Sequence, residues 1–263
     1  MNFTVDGRTA FAYTAAHEID PAKPSVAFLH GAGLDHSWFG LQSRYVGYHG
    51  RNALAVDFPG HGRSPGAPLA SVGDMADWLV RLLDAAKLGK AALVGHSMGA
   101  LVALECAARH AERVEKIALL GIAYPMRVAE AFLSAAKENR QDAYDMETIW
   151  GHAPSVPLGA NPNPGMWMYG DTLARLARLA PGVLYSDLKA CHEYAGGEAA
   201  AARLKCPVLF VLGRRDTMTA ARAGLAFAKQ VPGSTVVQIA PSGHSLMAEA
   251  PDAVLDALIE FLG

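Results

Sequence analysis

The sequence has few charged residues and no excess of either sign. Of its 263 residues, 18% are Asp, Glu, Lys or Arg, and the formal net charge is -2; about 25% charged residues is usual for soluble domains. A partner held mainly by long-range charge, nucleic acid above all, is therefore not expected. The chain also lacks an apolar run of roughly 18 residues, the minimum for a membrane-spanning helix, so no membrane association is expected.

The few cysteines and the start of the chain both favour a cytoplasmic location. The chain has three cysteines, an odd number, and they are widely spaced at Cys106, Cys191 and Cys206. This fits neither a disulfide framework nor a zinc or redox motif. Asp6 and Arg8 lie in a polar, strand-like stretch. Secretory signals instead begin with a positive region followed by an apolar segment.

No motif for a metal or a nucleotide cofactor is present. The ten histidines show neither His-Glu-x-x-His nor His-x-His spacing, and no carboxylates cluster at metal-binding distances in the sequence. Gly31 and Gly33 follow an apolar run, but the third glycine and the acidic partner of a dinucleotide motif are missing. We predict no metal, no cofactor and a small-molecule substrate, while the oligomeric state is left open.

Short apolar runs alternate with helical patterns along most of the chain, after an initial hairpin predicted around Asp6-Gly7. The best helical pattern begins at Met75 and continues through Trp78 and Leu82, and Ser71 is placed to cap it. Alternation of this kind predicts an α/β fold with a mainly parallel open sheet and helices on both faces. The predicted strands are Val26–Leu29, Ala53–Val56, Ala91–Val94, Ile117–Leu120, Val208–Leu212 and Thr235–Ile239.

The alternation stops between Leu120 and Val208, an interval much longer than a strand crossover needs. We therefore predict a core made of residues 1–121 and 207–263, with residues 122–206 inserted as a helical cap over the carboxyl edge of the sheet. Helical patterns around Ala129–Lys137 and Thr172–Leu179 are separated by a linker at 161–165 that is rich in Asn and Pro. The alternative is a separate packing subdomain without a role at the site.

The sequence Gly95-His96-Ser97-Met98-Gly99 directly follows a predicted strand and precedes a helical pattern. A sharp strand-to-helix turn of this kind exposes the serine, and glycines are needed on both sides because a Cβ atom there would collide with the neighbouring chain. The pattern Gly-x-Ser-x-Gly alone is common by chance, and its position between a strand and a helix is what indicates a nucleophile. Ser97 is the candidate nucleophile.

A serine hydroxyl needs a base, and the base needs an orienting group. His244 follows the last predicted strand, and Asp216 follows the preceding one. Since both lie where strands end, as Ser97 does, the carboxyl edge of one sheet can bring the three together.

The chain resembles the α/β-hydrolase fold family from about Val26 to Leu262. The order Ser97, Asp216, His244 is the order found in that family. Residues 30–33 (His-Gly-Ala-Gly) resemble its oxyanion loop, and residues 57–64 resemble the loop after the following strand. The sequence departs from the family pattern after the acid, where a proline is often found and residues 217–220 read Thr-Met-Thr-Ala.

The resemblance implies that His244 takes the proton of Ser97 while Asp216 orients the imidazole. It also implies that the backbone N–H groups of Met98 and Ala32 form the oxyanion hole, with Gly33 as an alternative to Ala32.

The sequence-based proposal is a serine hydrolase of carboxylic esters with small to medium, largely apolar groups. Alternatives are a C–C bond hydrolase or a lactonase with the same triad, and a ligand-binding protein without turnover. An Asp nucleophile is disfavoured because the turn carries Ser97. The candidate substrate-binding residues are Gly33, His96 and Trp167. His96 could also merely fill space, and the apolar cluster at 166–169 could pack the cap onto the core.

Overall fold

The computed structural model describes residues 1–158, 167–240 and 242–263. Within these ranges, eight strands form one sheet. The strands are β1 (Asn2–Val5), β2 (Arg8–Tyr13), β3 (Ser25–Leu29), β4 (Asn52–Val56), β5 (Ala91–His96), β6 (Val114–Leu120), β7 (Val208–Gly213) and β8 (Thr235–Ile239). All six strands predicted from apolar runs are confirmed, as is the initial hairpin, in which Asp6 and Gly7 both adopt positive φ.

The α-helices alternate with the strands in the core and follow one another in the middle of the chain. They are α1 (Gly40–Tyr48), α2 (Val72–Ala85), α3 (Met98–Arg109), α4 (Glu130–Lys137), α5 (Gln141–Trp150), α6 (Met168–Leu176), α7 (Val183–Glu193), α8 (Gly197–Ala201), α9 (Ala221–Ala228), α10 (Leu246–Glu249) and α11 (Pro251–Leu262). Short 3-10 turns occur at His36–Phe39, Ala111–Arg113 and Val156–Leu158.

The sheet order is β1-β2-β4-β3-β5-β6-β7-β8, and every pair from β4 to β8 is parallel. From β3, the chain crosses to β4 on one side and later returns to β5 on the other. The direction of winding therefore reverses between β3 and β5, which is where open α/β sheets place their ligands. The predicted fold class is confirmed.

Both faces of the sheet are covered because the central strands are apolar on both sides. Ala27 and Leu29 of β3 pack into one core with α2 and α3. Val26 and Phe28 point the other way, into a second core that includes α1 and α11. The side-chain period of two explains this division. Helix α2 begins where predicted, since the hydroxyl of Ser71 accepts a hydrogen bond from Asp74 N.

Helices α4 to α8 form a helical insertion between β6 and β7, two strands that are direct neighbours in the sheet. Helix α4 is close to its prediction, whereas α6 begins and ends earlier than predicted. Helices α5, α7 and α8 were not predicted. The linker at 161–165 and Met166 lie outside the described residues. In the described ranges, no helix has both the length and the apolar character needed to cross a membrane.

Candidate active site

Ser97 lies in a strained turn between β5 and α3. Its backbone has φ +52° and ψ -115°, a region that non-glycine residues seldom adopt. The N–H of Ser97 donates to the carbonyl of Leu120 in β6 at 2.9 Å. A Cβ atom at Gly95 would collide with the backbone of Gly99, and one at Gly99 would collide with the carbonyl of Leu29. The predicted need for both glycines is therefore confirmed by the packing of the turn.

Asp216 and His244 form a buried pair beyond the ends of β7 and β8. Asp216 Oδ2 lies 2.7 Å from His244 Nδ1, and the two side chains are almost completely buried. Burial lowers the pKa of His244, but the charge of Asp216 and its hydrogen bond outweigh that effect and leave the pKa raised. Burial raises the pKa of Asp216, and the facing imidazole together with the hydrogen bonds to the carboxylate lowers it on balance.

The hydrogen bonds of the loop after Asp216 explain why this chain lacks the proline often found there in the family. Asp216 Oδ1 accepts hydrogen bonds from Met218 N at 2.9 Å and from Thr219 N at 2.8 Å. A proline at either position would have no N–H to donate. The Thr219 hydroxyl is also 2.7 Å from Asp216 Oδ2 and 3.0 Å from His244 Nδ1. This chain holds its carboxylate with two amides and one hydroxyl.

His96 supports the backbone of His244. Trp38 Nε1 donates to His96 Nδ1 at 3.1 Å, so the imidazole proton is on Nε2 and is donated to the carbonyl of His244 at 2.9 Å. Burial lowers the pKa of His96 well below its usual value, which keeps the ring neutral. The rings of His96 and His244 lie 4.6 Å apart. His96 therefore connects the turn that carries Ser97 to the loop that carries His244.

Ser97 is only partly buried and lines a cavity of about 390 Å³. Most of the wall comes from the helical insertion, and the remainder from the loops that follow β3, β5 and β7. The hydrogen bonds of the described residues include none between Ser97 and His244; such contacts are often loose without substrate. The lining residues are Ala32, Ser97, Met126, Arg127, Val128, Ala129, Phe132, Glu147, Trp150, Leu188, Cys191, Thr217, Met218 and Thr219.

The loop after β3 reaches the same cavity through Ala32. The N–H of the next residue, Gly33, donates to Asp187 Oδ2 of helix α7 at 2.8 Å. The same oxygen lies 2.8 Å from His61 Nε2. Because the Gly33 amide already has a buried acceptor, the geometry favours Ala32 over Gly33 as an amide that can face a substrate. Met98, as the first residue of α3, has an N–H without an acceptor inside its helix.

The three candidate substrate-binding residues are not brought to the cavity that contains Ser97. Gly33 lines a different depression, His96 is buried behind the turn, and Trp167 is 75% exposed. The reasons are local: Gly33 is held by Asp187, His96 is held between Trp38 and His244, and Trp167 precedes the first turn of α6. Met168, from the same apolar cluster, is buried and packs with Ala153.

Two buried acids in the insertion were missed by sequence analysis. Glu147 in α5 lines the cavity, and Asp187 in α7 holds the loop after β3. A signal for Asp187 was present, since it interrupts the helical spacing of Leu184, Leu188 and Cys191. A charged residue on an apolar helix face indicates a buried polar contact.

One cluster of possible metal ligands occurs among the described residues, formed by Asp35, His36 and Asp57. Asp57 Oδ1 accepts from His36 N at 2.6 Å, and its other oxygen accepts from Arg63 N at 2.8 Å. Asp57 therefore already serves as an acceptor that shapes two loops, and none of the three residues lines the Ser97 cavity. The absence of a metal from the chemistry remains a prediction.

Comparison with known proteins identifies the family. Residues 26–257 match the model of the alpha/beta hydrolase family. The chain belongs to this family, and the general chemistry of the chain is hydrolysis.

Individual relatives have low sequence identity to this chain, but their alignments cover most of both proteins. A protein of Acinetobacter baylyi named (E)-2-((N-methylformamido)methylene)succinate hydrolase is 26% identical over 243 residues, 90% of this chain and 89% of that protein. A pimeloyl-[acyl-carrier protein] methyl ester esterase of Chromobacterium violaceum is 29% identical over 252 residues, 91% of this chain and 94% of the esterase. Among solved structures, the enol-lactonase of Burkholderia xenovorans matches with a TM-score of 0.85 at 22% identity, covering 100% of this chain and 99% of the lactonase.

Proposed function

We propose that the protein is a serine hydrolase that cleaves carboxylic esters of small to medium, largely apolar substrates through an acyl-enzyme. One observation carries the proposal: a serine in a strained strand-to-helix turn lines a mainly apolar cavity, next to the loops that hold a buried Asp216–His244 pair. The names of the esterase relatives agree with this chemistry.

In the proposed mechanism, His244 accepts the proton of Ser97 through Nε2, and Ser97 Oγ attacks the ester carbonyl. Asp216 keeps the imidazole proton on Nδ1 and stabilises the imidazolium that forms. The developing oxyanion accepts hydrogen bonds from the N–H groups of Met98 and Ala32. The imidazolium then protonates the leaving alkoxide, and water attacks the acyl-enzyme by the same route in reverse.

Residues 122–206 would act as a cap in this mechanism. The support is that this segment supplies most of the cavity wall, including Phe132, Trp150 and Leu188. An apolar wall favours an apolar acyl or alcohol group and excludes water from the acyl-enzyme except near Ser97. We also propose a cytoplasmic location, which the three unpaired cysteines support.

The decisive experiment combines covalent labelling with turnover. A fluorophosphonate probe should label the native protein at Ser97 and leave Ser97→Ala unlabelled, while p-nitrophenyl esters should give a burst followed by steady turnover. Native protein that resists the probe and hydrolyses no ester would favour the ligand-binding alternative. A panel that includes a lactone and a substrate with a C–C bond beside a carbonyl separates the remaining alternatives.

The pH profile tests the base. Since a protonated imidazole cannot accept the serine proton, kcat/KM should fall as the pH drops through the pKa of His244. That pKa is raised above the ordinary value of 6.5. The midpoint of the acidic limb should therefore lie above 6.5, and a midpoint well below it would contradict the assignment of His244.

A further inference from the structure

A buried carboxyl group lines the cavity that contains Ser97. Glu147 lies in α5, is 8% exposed and lines the same cavity as Ser97. Its Oε2 is buried and has no hydrogen-bond partner among the described residues. Burying a polar group without a partner destabilises a protein, and an unpaired carboxylate costs more than a neutral group. The position therefore calls for an explanation beyond packing.

None of the cavity-lining residues that the structure describes forms an ion pair with the Glu147 carboxyl. The neighbouring wall is aromatic and aliphatic, with the rings of Phe132 and Trp150 packed edge to face at 5.8 Å. Arg127, the cation among the lining residues, is exposed and donates to the carbonyl of His192 at 3.0 Å. Burial raises the pKa of Glu147 to about 7, with His244 opposing and Asp187 adding to the shift.

A mainly apolar cavity in which Glu147 Oε2 has no partner among the described residues distinguishes substrates by a polar contact at the Glu147 carboxyl. A purely alkyl substrate would leave the Glu147 carboxyl without a hydrogen-bond partner after excluding water from the cavity. A substrate that places an O–H or N–H group against this carboxyl would satisfy it. Sites of this kind discriminate strongly because the analogue without the donor leaves a buried polar group unpaired.

We propose that Glu147 is a specificity residue whose carboxyl binds a hydrogen-bond donor, a hydroxyl or an amine, on the otherwise apolar part of the ester substrate. The inference rests on the proposed function, in that the donor group belongs to the molecule whose carbonyl meets Ser97. It narrows the substrate class from apolar esters to apolar esters with one donor group away from the ester bond.

The test compares matched esters that differ at one terminal group. Methyl alkanoates, methyl ω-hydroxyalkanoates and methyl ω-aminoalkanoates of equal chain length are hydrolysed in a pH-stat, and the same three end groups are placed on the alcohol side of butyrate esters. In the native protein, kcat/KM for at least one donor-bearing ester should exceed that of its methyl-terminated partner by about tenfold or more. Glu147→Leu should abolish or reverse that preference, which is measured as the ratio of kcat/KM values within the variant.

A conservative variant separates the two donor classes. Glu147→Gln retains an acceptor oxygen without charge, so a preference for hydroxyl should survive in part and a preference for ammonium should be lost. Asp145→Asn is the matched control, because it removes one charge from the exposed side of the same helix and should leave all ratios unchanged. If Glu147→Leu does not fold, the ratio in Glu147→Gln decides.

Two results would overturn the inference: native protein that hydrolyses alkyl esters with no preference for any donor, or a donor preference that is unchanged in Glu147→Leu. Failure of the proposed function looks different, because then no ester is hydrolysed and Ser97 is not labelled. In that case, calorimetric titration of Ser97→Ala and of Ser97→Ala with Glu147→Leu against the same esters repeats the comparison without turnover. Equal affinities in the two variants would refute the role of Glu147.

Discussion

Replacing Asp187 should detach the loop after β3 from the helical insertion. One oxygen, Oδ2, accepts from Gly33 N and lies at the same 2.8 Å from His61 Nε2, and the side chain is fully buried. Asp187→Ala leaves both donors buried without an acceptor. At about 1–3 kcal/mol for each unsatisfied group, the free energy of unfolding should fall by about 2–6 kcal/mol. Asp187→Asn can place its amide oxygen where Oδ2 lies, so its free energy of unfolding should fall by less.

The loss of stability on substitution of Asp187 should depend on pH, and the direction of this dependence identifies the contact with His61. Burial lowers the pKa of His61, but the charge of Asp187 and its hydrogen bond outweigh this and raise it above the ordinary 6.5. A folded-state pKa above the unfolded value stabilises the protein fully below the unfolded pKa, and this contribution is lost as the pH rises through the folded pKa. The difference in stability between native protein and Asp187→Asn should therefore be larger near about pH 5.5 than near about pH 8.5.

Urea denaturation at both pH values measures these differences, with the exposed Asp171→Asn as the control from the same insertion. Kinetics provide a second measurement. Because Ala32 precedes Gly33, a displaced loop should lower kcat by about tenfold or more while KM changes little. The reasoning would be refuted if the urea midpoint of Asp187→Ala equalled that of the native protein. It would also be refuted if the stability difference between native protein and Asp187→Asn were the same at both pH values.

Three further substitutions test neighbouring parts of the site. Thr219→Val removes a hydroxyl from the Asp216 carboxylate, so kcat/KM should fall by about tenfold while Thr219→Ser restores it; equal activity of all three proteins would exclude the contact. Gly99→Ala forces a Cβ against the Leu29 carbonyl and should lower the melting temperature by an amount equivalent to about 1–3 kcal/mol. Gly40→Ala, where nothing lies within 4 Å, should leave it unchanged, and equal shifts would count against the packing argument. Glu249→Leu removes the acceptor of Gly243 N and Ala153 N and should destabilise the protein more than Glu249→Gln in the same melts; the opposite order would contradict it.

The sheet could be predicted because its signals are local. Runs such as Val26–Leu29 and Val208–Leu212 are short, apolar and bounded by turn residues, and two-sided burial explains why they contain almost no polar residues. The glycines around Ser97 could be interpreted for the same reason, since the collision they avoid arises between backbone segments of one turn and the adjoining strand.

The insertion could not be predicted in the same way. Helices α5 and α7 carry the buried acids Glu147 and Asp187 on their inner faces, and each acid interrupts the apolar pattern by which a helix is recognised. His96 is next to the nucleophile in sequence, but it does not line the cavity, because Trp38 and the carbonyl of His244 bind its ring.

The sequence by itself determined the order of the strands along the core, the turn at Ser97 and the positions of Asp216 and His244 after their strands. Each depends on periodicity or turn chemistry within a few neighbouring residues. Only the tertiary structure decided which amide after β3 is occupied and which side chains line the cavity. Gly33 and Asp187 are separated by 154 positions, and such contacts arise from how the insertion packs onto the sheet, which no local pattern encodes.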